Sequence, residues 1–175
     1  MSYSDNIYKI PGNTRIGHVN LKVSDIQRSL DFYCGLLGFE ISTRYGADVV
    51  FISAGGYHHH IGLNTWYSKN SQPAPVRATG LFHFAILYPE RKDLAEIYKR
   101  LSEARYPIQG ASDHGVSEAI YLSDPDQNGI ELYWDKPKIQ WPLKDDGTLD
   151  MYTHTLDLKS LLEELSADTK EMKLQ

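Results

Sequence analysis

The sequence predicts an α+β fold made of one strand–helix–strands unit used twice. Three observations lead there. A histidine recurs at one point of an alternating strand in each half, His18 and His83, and a tyrosine recurs in the helical pattern that follows, Tyr33 and Tyr98; both pairs are 65 residues apart (83 − 18 and 98 − 33). One such match is within chance, whereas two at a single offset argue for an internal repeat. Each half also passes from period-two alternation into helical period and back to strands. Between the halves lies a polar stretch, residues 68–80, that holds two prolines and reads as a linker.

Taken in order, residues 1–14 carry little pattern and read as a surface lead-in. Residues 15–23 form a strand in which Gly17, Val19, Leu21 and Val23 alternate with His18, Asn20 and Lys22. Ser24 and Asp25 are suited to cap a helix over residues 26–37, which Gly38 ends. Ile26, Leu30, Tyr33 and Leu37 make its buried face, and Phe32, Cys34 and Leu36 widen it. Residues 39–45 and 48–53 read as a hairpin, with a fourth strand over 57–66 after Gly55 and Gly56. Beyond the linker the plan returns: a strand over 81–88, then a helix over 91–104 with Leu94, Ile97, Tyr98 and Leu101 at helical spacing and Pro107 past its end.

The closing hairpin is the clearest element. Strands over 118–123 and 130–134 flank Asp124-Pro125-Asp126-Gln127-Asn128-Gly129, nearly all of them residues that tight turns favour. The modules therefore fall at about 15–66 and 81–135 of a single domain spanning 1–175, with an extension over 136–175. In that extension residues 155–165 suggest a helix with Leu156, Leu158, Leu161, Leu162 and Leu165 on one side, and the polar tail from Ser166 is expected to fray.

Composition narrows the function. Apolar residues at 41% and charged ones at 23% suit a soluble globular protein. A net charge of −5 with no long basic run speaks against a nucleic-acid partner, and no apolar run is long enough for a membrane span. The N-terminus lacks the charged and apolar regions of a signal peptide, and the lone Cys34 reads as a buried free thiol, so the cytoplasm is the expected location.

The candidates for chemistry are His18, His83 and Glu131. In its strand Glu131 shares a face with Tyr133, while Ile130, Leu132 and Trp134 take the other. A carboxylate amid such apolar neighbours is costly to bury unless water, a cation or a metal meets it. Phe82, Phe84, Ile86 and Tyr88 likewise oppose His83. With the apolar faces packed under the helices, the three polar groups point to the opposite, concave side. Two neutral imidazoles and a carboxylate suit a divalent first-row metal and leave positions open for substrates. A lone histidine is more often structural; the duplication sets these apart. The run His58-His59-His60 opens the expected fourth strand and offers acid–base groups. Strand parity puts His59 on one face and His58 and His60 on the other, without saying which points inward; a surface cluster is the alternative.

These residues carry a family resemblance. Gly17-His18-Val19-Asn20-Leu21-Lys22-Val23, Phe82-His83-Phe84-Ala85-Ile86 and Gly129-Ile130-Glu131-Leu132-Tyr133 resemble the vicinal oxygen chelate superfamily. Within it, the stretch from His114 to Glu131 is similar to the type I extradiol dioxygenases of the catechol 2,3-dioxygenase group, in a one-domain form. The likeness covers about residues 15–166; Asp-Pro-Asp-x-x-Gly-x-Glu alone is shared across the superfamily.

The resemblance implies two βαβββ modules forming a curved mixed sheet around a metal-binding cavity, with the helices outside. It implies His18, His83 and Glu131 as ligands of Fe(II), with Mn(II) as the alternative. His59, three residues before Gly62, matches the acid–base histidine, with His60 as second choice. Gly62 should also face inward, so parity then requires a bulge or a late strand start. Tyr121 matches the tyrosine that bonds a catechol oxygen, and His114 a second histidine lining the pocket. The implied substrates are a small aromatic diol and O2, in aromatic compound catabolism. The implied assembly is a homo-oligomer, dimer or larger, that restores contacts a second domain makes in longer members. His59 would take a substrate proton and return it as the oxygen–oxygen bond breaks, while Tyr121 stabilises charge on the substrate oxygen.

Three competing functions stand beside this one. A glyoxalase-type site needs a second carboxylate near the fourth strand, and Ile61-Gly62-Leu63-Asn64 has none. A fosfomycin-resistance transferase uses the same ligand types, but His114 and Tyr121 favour the dioxygenase. A metal-free protein that binds an aromatic ligand has no need of all three metal-binding side chains.

Overall fold

In the computed structural model, which describes residues 8–171, the helices and strands of both modules form where period and turn chemistry place them; the strands expected over 15–23, 57–66 and 81–88 are shorter, whereas both strands of the closing hairpin are longer. The first module comprises β1 (Val19–Lys22), α1 (Ile26–Leu30), β2 (Glu40–Tyr45), β3 (Val49–Ser53) and β4 (Ile61–Asn64). The second comprises β5 (Phe84–Leu87), α2 (Arg91–Glu103), β6 (Gly110–Asp113), β7 (Ser117–Ser123) and β8 (Gly129–Asp135). The extension adds β9 (His154–Thr155) and α3 (Leu158–Glu171). Part of the expected lead-in, residues 1–7, and the tail over 172–175 lie outside the described residues.

Local chemistry accounts for the helix ends. The Asp25 carboxylate accepts the Arg28 N–H at 2.9 Å and caps α1. The expected single helix over 26–37 changes winding midway: residues Asp31–Leu36 are π-helical, with the Leu37 N–H reaching the Phe32 carbonyl at 2.9 Å. The wider turn lets the adjacent rings of Phe32 and Tyr33 both lie buried, which ordinary helical spacing would splay apart. Gly38, at φ +88°, then ends the helix in a backbone region that only glycine enters freely. Glu90 and Asp93 form a reciprocal capping box at the start of α2, and Leu94, Ala95, Ile97 and Leu101 make its buried side.

The strands form two mixed sheets, one for each module, ordered β1-β4-β3-β2 and β5-β8-β7-β6-β9. In each, the module's first strand runs parallel to its last, β1 with β4 and β5 with β8, and the other pairs are antiparallel. The α+β class and the duplication are thus both present. One apolar cluster joins Val23, Leu30, Tyr33, Ile52 and Leu63 of the first module to Leu94, Ile120, Leu122 and Leu132 of the second. Burying each such side chain contributes about 1.5–3 kcal/mol.

The extension belongs to this core through Leu156 and Leu161. The helix expected from Thr155 begins three residues later: Thr155 pairs with Ser112 in the sheet, and the Asp157 carboxylate caps α3 by accepting the Lys159 and Ser160 N–H groups at 3.0 Å. Arg91 ties α3 down, reaching Glu118 at 2.8 Å and Glu164 at 2.7 Å. Among the described residues no helix is long and apolar enough to cross a membrane.

Candidate active site

Glu131 sits in the middle of β8 between buried Ile130 and Leu132, so its own side chain turns to the opposite face. Its neighbours in register are Ala85 on β5 and Tyr121 on β7. Gly129 determines how closely the chain ahead of β5 can approach: a Cβ there would collide with the Phe82 carbonyl and crowd the His83 Cβ. The close approach brings His83 Nε2 to 3.1 Å from Glu131 Oε2. His83 Nδ1 is buried and meets no hydrogen-bond partner among the described residues.

Tyr121 stands on the other side of the carboxylate. Its hydroxyl lies 3.1 Å from Glu131 Oε1 and 2.7 Å from His114 Nε2, so its one proton serves two acceptors when His114 is neutral. Burial, and then the Glu131 charge, push the Tyr121 hydroxyl up to about 12, which keeps it protonated at neutral pH. His114 is held from behind by the extension. Its Nδ1 lies 3.1 Å from the Tyr152 carbonyl and 3.2 Å from Thr153 Oγ1. A carbonyl only accepts, so the proton of the neutral ring belongs on Nδ1, leaving Nε2 for Tyr121. Sequence reasoning missed this support, because a backbone carbonyl in an unpatterned segment leaves no signal in residue types.

A second cluster occupies the first sheet. His18 lies just ahead of β1, and its ring meets that of His59 at 4.4 Å between centroids. His59 also packs on Phe51 at 4.7 Å and brings its Nδ1 to 2.7 Å from His58 Nδ1. Partial burial, reinforced by the imidazoles of His18, His58 and His60, lowers the pKa of His59 and favours its neutral form. Beside it lies a hollow of about 590 Å³ lined by Thr43, Tyr45, Phe51, His59 and Trp66 among others. His60 takes another direction: its Nδ1 lies 3.3 Å from both Ser53 Oγ and the Ala54 N–H. The histidine run precedes β4, which starts only at Ile61, so strand parity does not govern it. A late strand start is one of the two ways His59 and Gly62 can share a side.

The structure thus brings His83, Glu131, Tyr121 and His114 together, and separately His18, His59 and His58. A metal ion needs at least one more ligand than His83 and Glu131 provide. Among the described residues, no three His, Cys, Asp or Glu side chains converge closely enough to hold one.

The fold defines the class first. A glyoxalase/dioxygenase structure from Nostoc punctiforme superposes with a TM-score of 0.61 at 20% identity, covering 77% of this chain and all of that one. Residues 15–132 match the glyoxalase/bleomycin resistance protein/dioxygenase superfamily, and the chain belongs to that family. Among its relatives, a catechol-2,3-dioxygenase of Bacillus subtilis is 39% identical over 159 residues, which is 90% of this chain and 54% of the relative. A biphenyl-2,3-diol 1,2-dioxygenase of Rhodococcus globerulus is 30% identical over 125 residues, 69% of this chain and 63% of the relative. The chain spans about half the length of the first and less than two thirds of the second.

Proposed function

We propose that the protein is an extradiol ring-cleaving dioxygenase that adds O2 to a small aromatic diol of the catechol type. The observation that carries this is the Tyr121 hydroxyl held 2.7 Å from His114 and 3.1 Å from Glu131, next to His83. The likeness to relatives that bear the names of catechol and biphenyl-diol dioxygenases supports the same reading.

In this reading His83 and Glu131 are ligands of Fe(II), or of Mn(II) as the alternative, and His18 is the third. The ion's part is to offset the charge of a deprotonated diol. The rest falls to the chain. Tyr121, with its pKa near 12, remains a donor and hydrogen-bonds a substrate oxygen as that oxygen gains charge. His114, fixed through Tyr152, keeps the phenol aimed. His59, favoured in its neutral form, accepts a hydroxyl proton from the diol and gives it back to the ring-opened product. Phe51 packs against the imidazole face and limits where the ring can turn.

The test is direct. Protein loaded with Fe(II) under anaerobic handling, then given catechol in air, should form a yellow ring-cleaved product. No product from any of several catechols, with iron shown to be bound, overturns the proposal.

A further inference from the structure

We infer that the extension after β8 belongs to the active site, with residues 152–154 positioning the His114 ring so that its Nε2 shares the Tyr121 proton with Glu131. The consequence for turnover rests on the reading of Tyr121 as the group that bonds a substrate oxygen; the hydrogen-bond chain itself does not. The family match covers residues 15–132, so this segment lies outside it.

Both backbone groups of Tyr152 act on one residue. Its N–H donates to the His114 carbonyl at 3.3 Å, and its own carbonyl lies 3.1 Å from His114 Nδ1. Thr153 Oγ1 stands 3.2 Å from the same nitrogen. The segment continues as β9, with His154 opposite Asp113 and Thr155 opposite Ser112 on β6. Gly115 makes room for it. This residue turns at φ +80°, and a Cβ there would come within 2.7 Å of Tyr152 Cε1 and 2.8 Å of Pro142 Cγ. The Tyr152 ring also stacks on that of His154, with 4.3 Å between centroids. From the other side the Asp113 carboxylate accepts the Gly115 N–H at 2.8 Å and Lys136 Nζ at 2.7 Å, which fixes the turn that carries His114. Farther along, Leu156 and Leu161 enter the core and hold the extension in place.

The effect on Tyr121 follows from the two ring nitrogens. Which of them carries the proton is set by the hydrogen bond that the other makes. A proton on Nδ1, facing the Tyr152 carbonyl, leaves a lone pair on Nε2 at 2.7 Å from the phenol. With the proton on Nε2 the ring would donate to Tyr121 instead, leaving Glu131, at 3.1 Å, as the acceptor of the phenol proton. A hydrogen bond to a carboxylate is the stronger kind, so the phenol would be held there and less free to turn to a substrate oxygen. Residues 152–154 are therefore positioning residues for Tyr121, acting through His114.

Nitrogen NMR of the full chain before iron is added, with labelled histidine in mildly alkaline buffer where an imidazole is neutral, tests this apart from catalysis. His114→Gln assigns the signal. The wild type should carry the proton on Nδ1, and Tyr121→Phe should leave it there, because Tyr152 sets it. A proton on Nε2 in the wild type, or one that leaves Nδ1 in Tyr121→Phe, overturns the inference. This arm decides even where a change at residue 152 prevents folding. Folded Tyr152→Ala, which frees the segment, should show a mixture of both tautomers, whereas Tyr152→Phe, which keeps the ring, should match the wild type. An unchanged tautomer in folded Tyr152→Ala also overturns the inference. In iron-loaded protein, Tyr152→Ala should lower kcat for catechol cleavage about tenfold with KM little changed, and Tyr152→Phe should restore it. If the tautomers behave as expected and the wild type cleaves no catechol, the dioxygenase reading fails and the positioning of Tyr121 through the extension stands.

Discussion

The Tyr33 hydroxyl donates to Asp124 Oδ2 at 3.0 Å, joining the helix of the first module to the turn between β7 and β8 across 91 positions of sequence. Asp124 also accepts the Asp126 and Asn128 N–H groups and the Asn128 side chain, each at 2.8 Å. Asp126 in turn accepts the Ser24 N–H at 3.0 Å. The turn that sets the register of β8, and so of Glu131, is thereby anchored to the first module. Helix and turn thus tie the two modules together within one chain.

Removing this tie should cost stability. Tyr33→Phe keeps the buried ring but leaves Asp124 without one of its donors, so an unfolding loss of about 1–3 kcal/mol is expected. Urea denaturation should show a lower midpoint with an unchanged slope. An unchanged midpoint would mean that the bond contributes nothing net.

The same carboxylate predicts a pH dependence. Burial raises the Asp124 pKa, and the donors from Asn128, Tyr33 and Asp126 only partly oppose this. The native chain therefore holds this proton to higher pH than the unfolded chain. The stability it contributes is fully present below the ordinary value of 3.8 and is lost as pH rises through the raised folded value. Asp124→Asn carries no such proton and should lose that decline. Urea midpoints measured over a pH series from acid upward check this; parallel curves for the two proteins would contradict it.

Gly129→Ala tests how β5 is seated. The added methyl would strike the Phe82 carbonyl, which cannot yield without shifting the strand. Overpacking of this kind costs about 1–3 kcal/mol. It should also draw His83 away from Glu131 and weaken Fe(II) binding. Calorimetry and metal titration on one sample check both effects, and native stability with native affinity would show that the close approach has no role.

His59→Phe separates proton transfer from metal binding. The variant should keep its iron, since His59 is not among the proposed ligands, and lose about 10²–10⁴-fold in turnover. Iron content and steady-state rates measured together decide this. A wild-type rate would move the proton-transfer role to another group.

Much of this was legible in sequence, and for local reasons. The hairpin over β7 and β8 could be read because its turn residues act on their own backbone, and α2 because its apolar period is strong. The pairing of Glu131 with His83 was foreshadowed by alternation, which put both opposite the apolar faces. The π-helical turn was not legible, because it follows from how Phe32 meets Tyr106 at 5.0 Å and Tyr33 meets Asp124. Nor were β6 and β9, whose Gly-Ala-Ser-Asp and His-Thr segments lack apolar alternation and form where an existing strand offers hydrogen bonds. Parity is silent on the direction of His59 because the histidine run precedes β4 and does not belong to it. The separation of His18 from His83 and Glu131 is a matter of how whole modules sit, on which residue spacing is silent.

The central claim is that both atoms of O2 enter the ring of an aromatic diol. Turnover of catechol under heavy-isotope dioxygen, with the ring-opened product read by mass spectrometry, tests it most directly. The account predicts two labelled oxygens in each product molecule. A product carrying no label, or an unopened ring after exposure to the iron-loaded protein, would contradict it.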